Sequence, residues 1–133
     1  MKKLFTIIAF IVISTVNAQA PQVWHVPSDA EWSNLTTFLG GVNVAGGKMK
    51  ATTLWSAPNT AASNSSGFKG LPGGWRYANF GAFEHMGAYG VWWSSSEVET
   101  IKAVGYLLSY YFGHAIYYDE QKTLGYSVRC LKD

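Results

Sequence analysis

The chain has 133 residues, 16% of them aromatic and only 14% charged, which bounds it to one domain with a tryptophan- and tyrosine-rich core or binding face. Its formal charge of +2 rests on Lys2 and Lys3: without them eight Lys and Arg (10 − 2) face eight Asp and Glu. No basic stripe is left to neutralise phosphates, which argues against nucleic acid as a partner.

Lys2 and Lys3 open a segment that reads as a secretory leader. Leu4 to Val16 is apolar, and Val16-Asn17-Ala18 supplies small residues at a cleavage position. The run is shorter than the ~20 residues that a spanning helix needs, and no cysteine follows it to take a lipid anchor. Residues 1–18 are therefore predicted to be a signal peptide and 19–133 a single exported domain, with no membrane segment after cleavage.

The best-marked element begins at Ser28 in Trp24-His25-Val26-Pro27-Ser28-Asp29-Ala30-Glu31-Trp32. Ser28 can cap a helix and Glu31, three residues on, can complete a capping box. Trp32, Leu35, Phe38 and Leu39 fall at helical spacing as one apolar face, and Gly40-Gly41 ends the run. Val42 to Ala51 reads as a second short helix, weakened by Gly46 and Gly47. Thr52 to Gly67 has no apolar period and reads as a long loop that Trp55 pins to the core. Phe68 to Tyr77 reads as a hairpin, or a strand entering a turn, at Pro72-Gly73-Gly74, and Asn79 to Gly90 as loop. Val91-Trp92-Trp93-Ser94 is the expected central strand, its two tryptophans buried on opposite faces. Ala103 to Phe112, Ala115 to Tyr118 and Tyr126 to Leu131 complete the strands, with turns at Phe112-Gly113-His114 and Asp119 to Lys122. The fold class is α+β: one or two N-terminal helices packed on a mostly antiparallel twisted sheet with long irregular loops.

The ordered motifs also carry a resemblance. They are Trp24 to Trp32, Ala45-Gly46-Gly47-Lys48-Met49-Lys50, Asn59-Thr60, Asn64 to Phe68, Leu71-Pro72-Gly73-Gly74 with Arg76, Trp93 to Glu97, and Gly125-Tyr126-Ser127-Val128-Arg129-Cys130. Together they resemble the Fibrobacter succinogenes major paralogous domain, from about Pro21 to the last residue. The resemblance implies a secreted or surface protein of bacteria with the C-type-lectin-like fold of formylglycine-generating enzymes and of the variable proteins of diversity-generating retroelements. The family pattern has Cys-Pro-x-Gly-Trp-His-Val-Pro where this chain has Ala20-Pro21-Gln22-Val23-Trp24-His25-Val26-Pro27. Its second cysteine survives as Cys130, so the implied disulfide is lost. A link across a loop of about 110 residues is worth roughly 4 to 5 kcal/mol on the chain-entropy model. The family also has strand and loop ahead of this motif, so the first strand is expected to be missing and the domain truncated, with an unpaired sheet edge.

Candidate site residues follow from residue type. Cys130, a single thiol in an exported chain, is a nucleophile only if His25, His85 or His114 comes close; otherwise it is a buried inert thiol, half of a lost disulfide, or the link of a homodimer. Formylglycine-generating activity needs two copper-binding cysteines, and this chain has one. No two histidines stand at a metal-ligand spacing, so no metal or other cofactor is expected. Glu97, after three serines, suits a turn or a contact to a cation or a sugar hydroxyl. The calcium-binding triplets of sugar-binding lectins are absent. The cluster Tyr106, Tyr110, Tyr111, Tyr117 and Tyr118, with His114 at the turn, offers rigid contact area with hydroxyls, suited to sugar rings or a peptide surface; alternatively its members fill the core. Trp24, Ser28, Glu31, Trp32, Phe38, Trp92, Trp93, Arg129 and Cys130 are expected to be structural. The function expected is an exported, non-enzymatic recognition domain for glycan or protein. A hydrolase-like enzyme using Glu97 or Cys130, and a remnant without a ligand, are the alternatives.

Overall fold

The computed structural model describes residues 23–133. The expected leader, and any strand ahead of Trp24, lie outside the described residues. In chain order the elements are β1 (Trp24–His25), α1 (Asp29–Phe38), α2 (Val42–Met49), β2 (Trp75–Arg76), β3 (Phe83–Glu84), β4 (Tyr89–Glu99), β5 (Lys102–Ser109), β6 (Ala115–Gln121) and β7 (Leu131–Lys132). Two helices with antiparallel strands make the fold α+β.

Helix α1 starts at the capping box that its sequence specifies. The Glu31 amide donates to Ser28 Oγ at 3.3 Å, and the Ser28 amide donates to Glu31 Oε2 at 2.8 Å. It ends on two left-handed glycines, whose amides return to the carbonyls of Thr37 and Thr36 at 3.0 and 2.9 Å. Trp32 and Leu39 are buried, and Leu35 packs beside them. Phe38 is not on that face: it is 86% exposed. At about 100° per residue it points roughly 120° away from Trp32, and Thr36 fills the inward position instead. Helix α2 forms despite its glycines because it needs them. A Cβ on Gly46 would lie 2.0 Å from the His114 carbonyl oxygen, and one on Gly47 would lie 2.5 Å from that of Ala61. Their absence lets α2 press directly onto the β5–β6 turn and the following loop.

That loop is held as expected through Trp55, which is buried and donates its indole N–H to the Gly70 carbonyl at 3.0 Å. Lys50 adds a second anchor. It is fully buried, and its three ammonium protons meet the carbonyls of Thr60, Ser109 and Phe112 at 2.8, 2.7 and 3.0 Å. The hairpin expected at Pro72-Gly73-Gly74 lies further on. β2 pairs with β3 across a turn closed by Tyr77 and Ala82, while Gly74 bridges Gly90. Phe68 is drawn away from any such hairpin, its ring lying 5.7 Å from Trp32 and 5.4 Å from Trp92.

The main sheet runs β4-β5-β6, so β5 is central and the strand holding Val91–Ser94 is not. Short connections at both ends of β5 fold its neighbours back antiparallel on either side of it. β6 continues through Asp119 to Gln121, where a turn was expected, and the turn falls at Lys122-Thr123. Of the expected strand Tyr126–Leu131, only its end joins a ladder, as β7 with β1, while Ser127 bridges Trp92. Alternation divides the sheet into two faces. Trp92, Val104, Tyr106, Leu108 and Ala115 meet the helices in the core, whereas Trp93 faces the other way and stacks on Tyr126 at 4.2 Å. The opposed tryptophans are as expected, although Trp93 is only half-buried. Among the described residues no helix is long and apolar enough to cross a membrane.

Candidate recognition groove

Where β1 and β7 meet α1, the surface opens into a groove of about 420 Å³, lined by Trp24, Trp32, Leu35, Phe68, Arg129 and Cys130 among others. Trp24 sits in the two-residue ladder opposite Lys132 and keeps 59% of its surface exposed. The Arg129 guanidinium lies over the Phe68 ring, 5.1 Å from its centroid. Behind the groove, the buried Trp32 indole N–H has no acceptor among the described residues.

His25 sets the charge balance here. Its Nε2 bonds Glu31 Oε1 at 2.9 Å and its Nδ1 bonds the Asp133 carboxylate. The hydrogen bonds to Glu31 and then to Asp133 raise the imidazole above its ordinary range. The Ser28 amide, followed by His25 and the Ser28 hydroxyl, holds the Glu31 carboxyl down at about 2. Both nearby carboxylates are thereby occupied. Arg129 and Lys132 enter no ion pair among the described residues, so the free charge at the groove is positive. This pattern suits a ligand with a flat face and an acidic group.

The sequence profile of the Fibrobacter succinogenes major domain matches residues 8–132. The chain belongs to that family. No curated protein and no solved structure matches it.

Within this Fibrobacter succinogenes major domain the tyrosine cluster does not stay together. Tyr106 is core: it stacks on Trp32 at 4.9 Å and donates its hydroxyl to Asp29 Oδ1 at 2.7 Å. Burial, the leading cause, pushes that phenol up to about 12. Tyr117 lies opposite Tyr106 on the same face and is half exposed, whereas Tyr118 points to the other face. Tyr110 and Tyr111 lie past the end of β5, where Tyr110 meets Tyr89 in a chain of rings running on to Trp75 and His85. His114 packs near Phe112, 5.3 Å away.

Glu97 is apart from all of these and is paired with Lys122. Cys130 is exposed rather than buried, because the segment before β7 runs over the surface with Val128 exposed as well. No hydrogen bond joins Cys130 to a histidine or carboxylate among the described residues. Nor do those residues group three His, Cys, Asp or Glu side chains as a metal site. Trp24 and Arg129, expected to be structural, also present accessible side chains to the groove. Their position depends on the β1–β7 pairing and on the His25–Asp133 bond beside it, which joins residues 108 apart, and no local signal exists for either.

Proposed function

We propose that this domain is a non-enzymatic recognition module, exported by its leader, whose groove binds a glycan bearing acidic groups at or outside the cell surface. The observation that carries this reading is the exposed Trp24 indole sharing one groove with the Arg129 guanidinium, which enters no ion pair among the described residues. An aromatic face packs against the apolar face of a sugar ring, and a guanidinium fork pairs with a carboxylate. The lectin-like organisation belongs to the same proposal. The paired terminal strands and the long loop tied to the sheet by Lys50 and Trp55 support it.

A recognition role is favoured over hydrolysis because Glu97 is held by Lys122 and the Cys130 thiol has no base bonded to it among the described residues. An array of acidic and neutral glycans and peptides, read with the wild type, Trp24→Ala and Arg129→Gln, tests the proposal. The expected result is selective binding to acidic glycans, weakened at least about tenfold by either change. Binding indifferent to both changes, or confined to peptides, refutes it.

A further inference from the structure

The sheet face turned away from the helices carries Val91, Gly105, Leu107, Tyr118 and Glu120. The β2 segment and the return segment 124–126 cover it. Arg76 and Gly125 exchange two backbone hydrogen bonds, both 2.9 Å, which sets Trp75 and Tyr77 beside Tyr126. A Cβ on Gly105 would lie 3.2 Å from Tyr126 Cε2, so glycine lets that ring lie close against the sheet. The result is a cavity of about 200 Å³ lined by four aromatic residues, Trp75, Tyr77, Tyr118 and Tyr126. Val91 and Leu107, both buried, close its apolar side. Glu120 is its acidic residue and enters no ion pair among the described residues. Burial, then the Glu120 carboxylate, pushes the Tyr126 phenol above its ordinary range.

We propose that this aromatic box binds a quaternary ammonium group of the choline type. Ring faces attract a cation through their quadrupoles, and one carboxylate supplies a diffuse counter-charge. The ligand class follows from what dominates the box, four aromatic residues and one carboxylate. A metal ion takes several hard oxygen ligands, and a primary ammonium takes three acceptors, as Lys50 does elsewhere in this fold. A quaternary ammonium carries no N–H to donate, so rings and one carboxylate satisfy its charge. The volume lies below the ~300–1,000 Å³ of pockets for larger ligands, which suits a headgroup.

The test is titration of the full chain with choline, phosphocholine and the neutral tert-butyl carbon analogue of choline, followed by tryptophan fluorescence and tyrosine-ring NMR. Saturable binding of at least one cation is expected, with the carbon analogue weaker by about tenfold. Whichever cation binds more tightly names the source, free choline or a phosphocholine headgroup. Glu120→Gln and Tyr118→Leu, the latter at an exposed position, are expected to weaken binding several-fold while leaving the near-UV spectrum native. Trp24→Ala is expected to leave it unchanged, which separates this site from the glycan groove. Equal affinity for the carbon analogue, or no saturable response from natively folded protein, overturns the proposal.

Discussion

Lys50→Met removes the buried ammonium while keeping an unbranched apolar stem. Three carbonyls, those of Thr60, Ser109 and Phe112, then lose their donor. At about 2 kcal/mol for each orphaned acceptor the loss is about 6 kcal/mol. Against this stands the cost of keeping a charge buried. Desolvation brings the lysine from 10.5 down to about 8, equivalent to roughly 3 kcal/mol. The net expectation is a destabilisation of about 3 kcal/mol in urea unfolding, with faster amide exchange at Thr60, whose N–H donates to the Tyr110 carbonyl. The pH dependence gives a second readout. Between about 8 and 10.5 the unfolded chain holds more protons on this lysine than the folded one, so wild-type stability gains a component that rises with pH across that window. The variant loses that component. An unchanged or higher urea midpoint refutes the reasoning, because desolvation would then outweigh the three hydrogen bonds.

Gly46→Ala sets helix propensity against packing. Alanine favours a helix over glycine by about 1 kcal/mol, but its Cβ would meet the His114 carbonyl oxygen at 2.0 Å. Overpacking of this kind typically costs about 1–3 kcal/mol, and backbone cannot swing aside as a side-chain tip can, so a thermal melt is expected to show net destabilisation. Asp133→Asn probes the His25 clasp. The raised His25 pKa stabilises the fold fully below the unfolded value of 6.5 and ceases to as pH rises through the folded value. The variant's deficit in melting temperature is therefore expected at mildly acidic pH and absent at alkaline pH. The lowered Glu31 carboxyl contributes in the other direction: its share is present above 4.5 and fades as pH falls through about 2. A deficit independent of pH refutes the clasp.

Local chemistry carried the helical part of this fold. Ser28 and Glu31 cap α1, Gly40 and Gly41 end it, and the lone Trp55 pins a polar loop, all within hydrogen-bonding rules that act over a few residues. Phe38 lies off the buried face because an apolar residue at helical spacing need not fall within the buried arc when Thr36 occupies it. The tyrosines divide between core and surface for a different reason. Their faces depend on β5–β6 register, in which Tyr106 opposes Tyr117 and Gly105 opposes Tyr118. A shift of one residue would invert every assignment. Nor does anything near Lys50 in the chain announce three carbonyl partners 10, 59 and 62 residues away.

The same distinction explains how the two ends of the domain stay together. The family resemblance implies a covalent tie between the position of Ala20 and Cys130; alanine cannot make it, and Cys130 is free. A two-residue antiparallel ladder such as β1–β7 is marginal in water without further support. Two sets of contacts supply that support. The Ser95 amide donates to the Pro27 carbonyl at 2.8 Å, and the Asp29 amide to Ser96 Oγ at 2.9 Å, tying the start of α1 to β4. His25 then joins that anchored end to the last residue through Asp133, beside the Asp133 amide's bond to the Val23 carbonyl at 3.1 Å. The carboxyl-terminal strand is thus tied by an ionisable side chain at the end where the family resemblance implies a disulfide. Arg129 and Lys132 ride on that strand, so the proton on His25 adds to the backbone bonds that hold the wall of the groove facing α1.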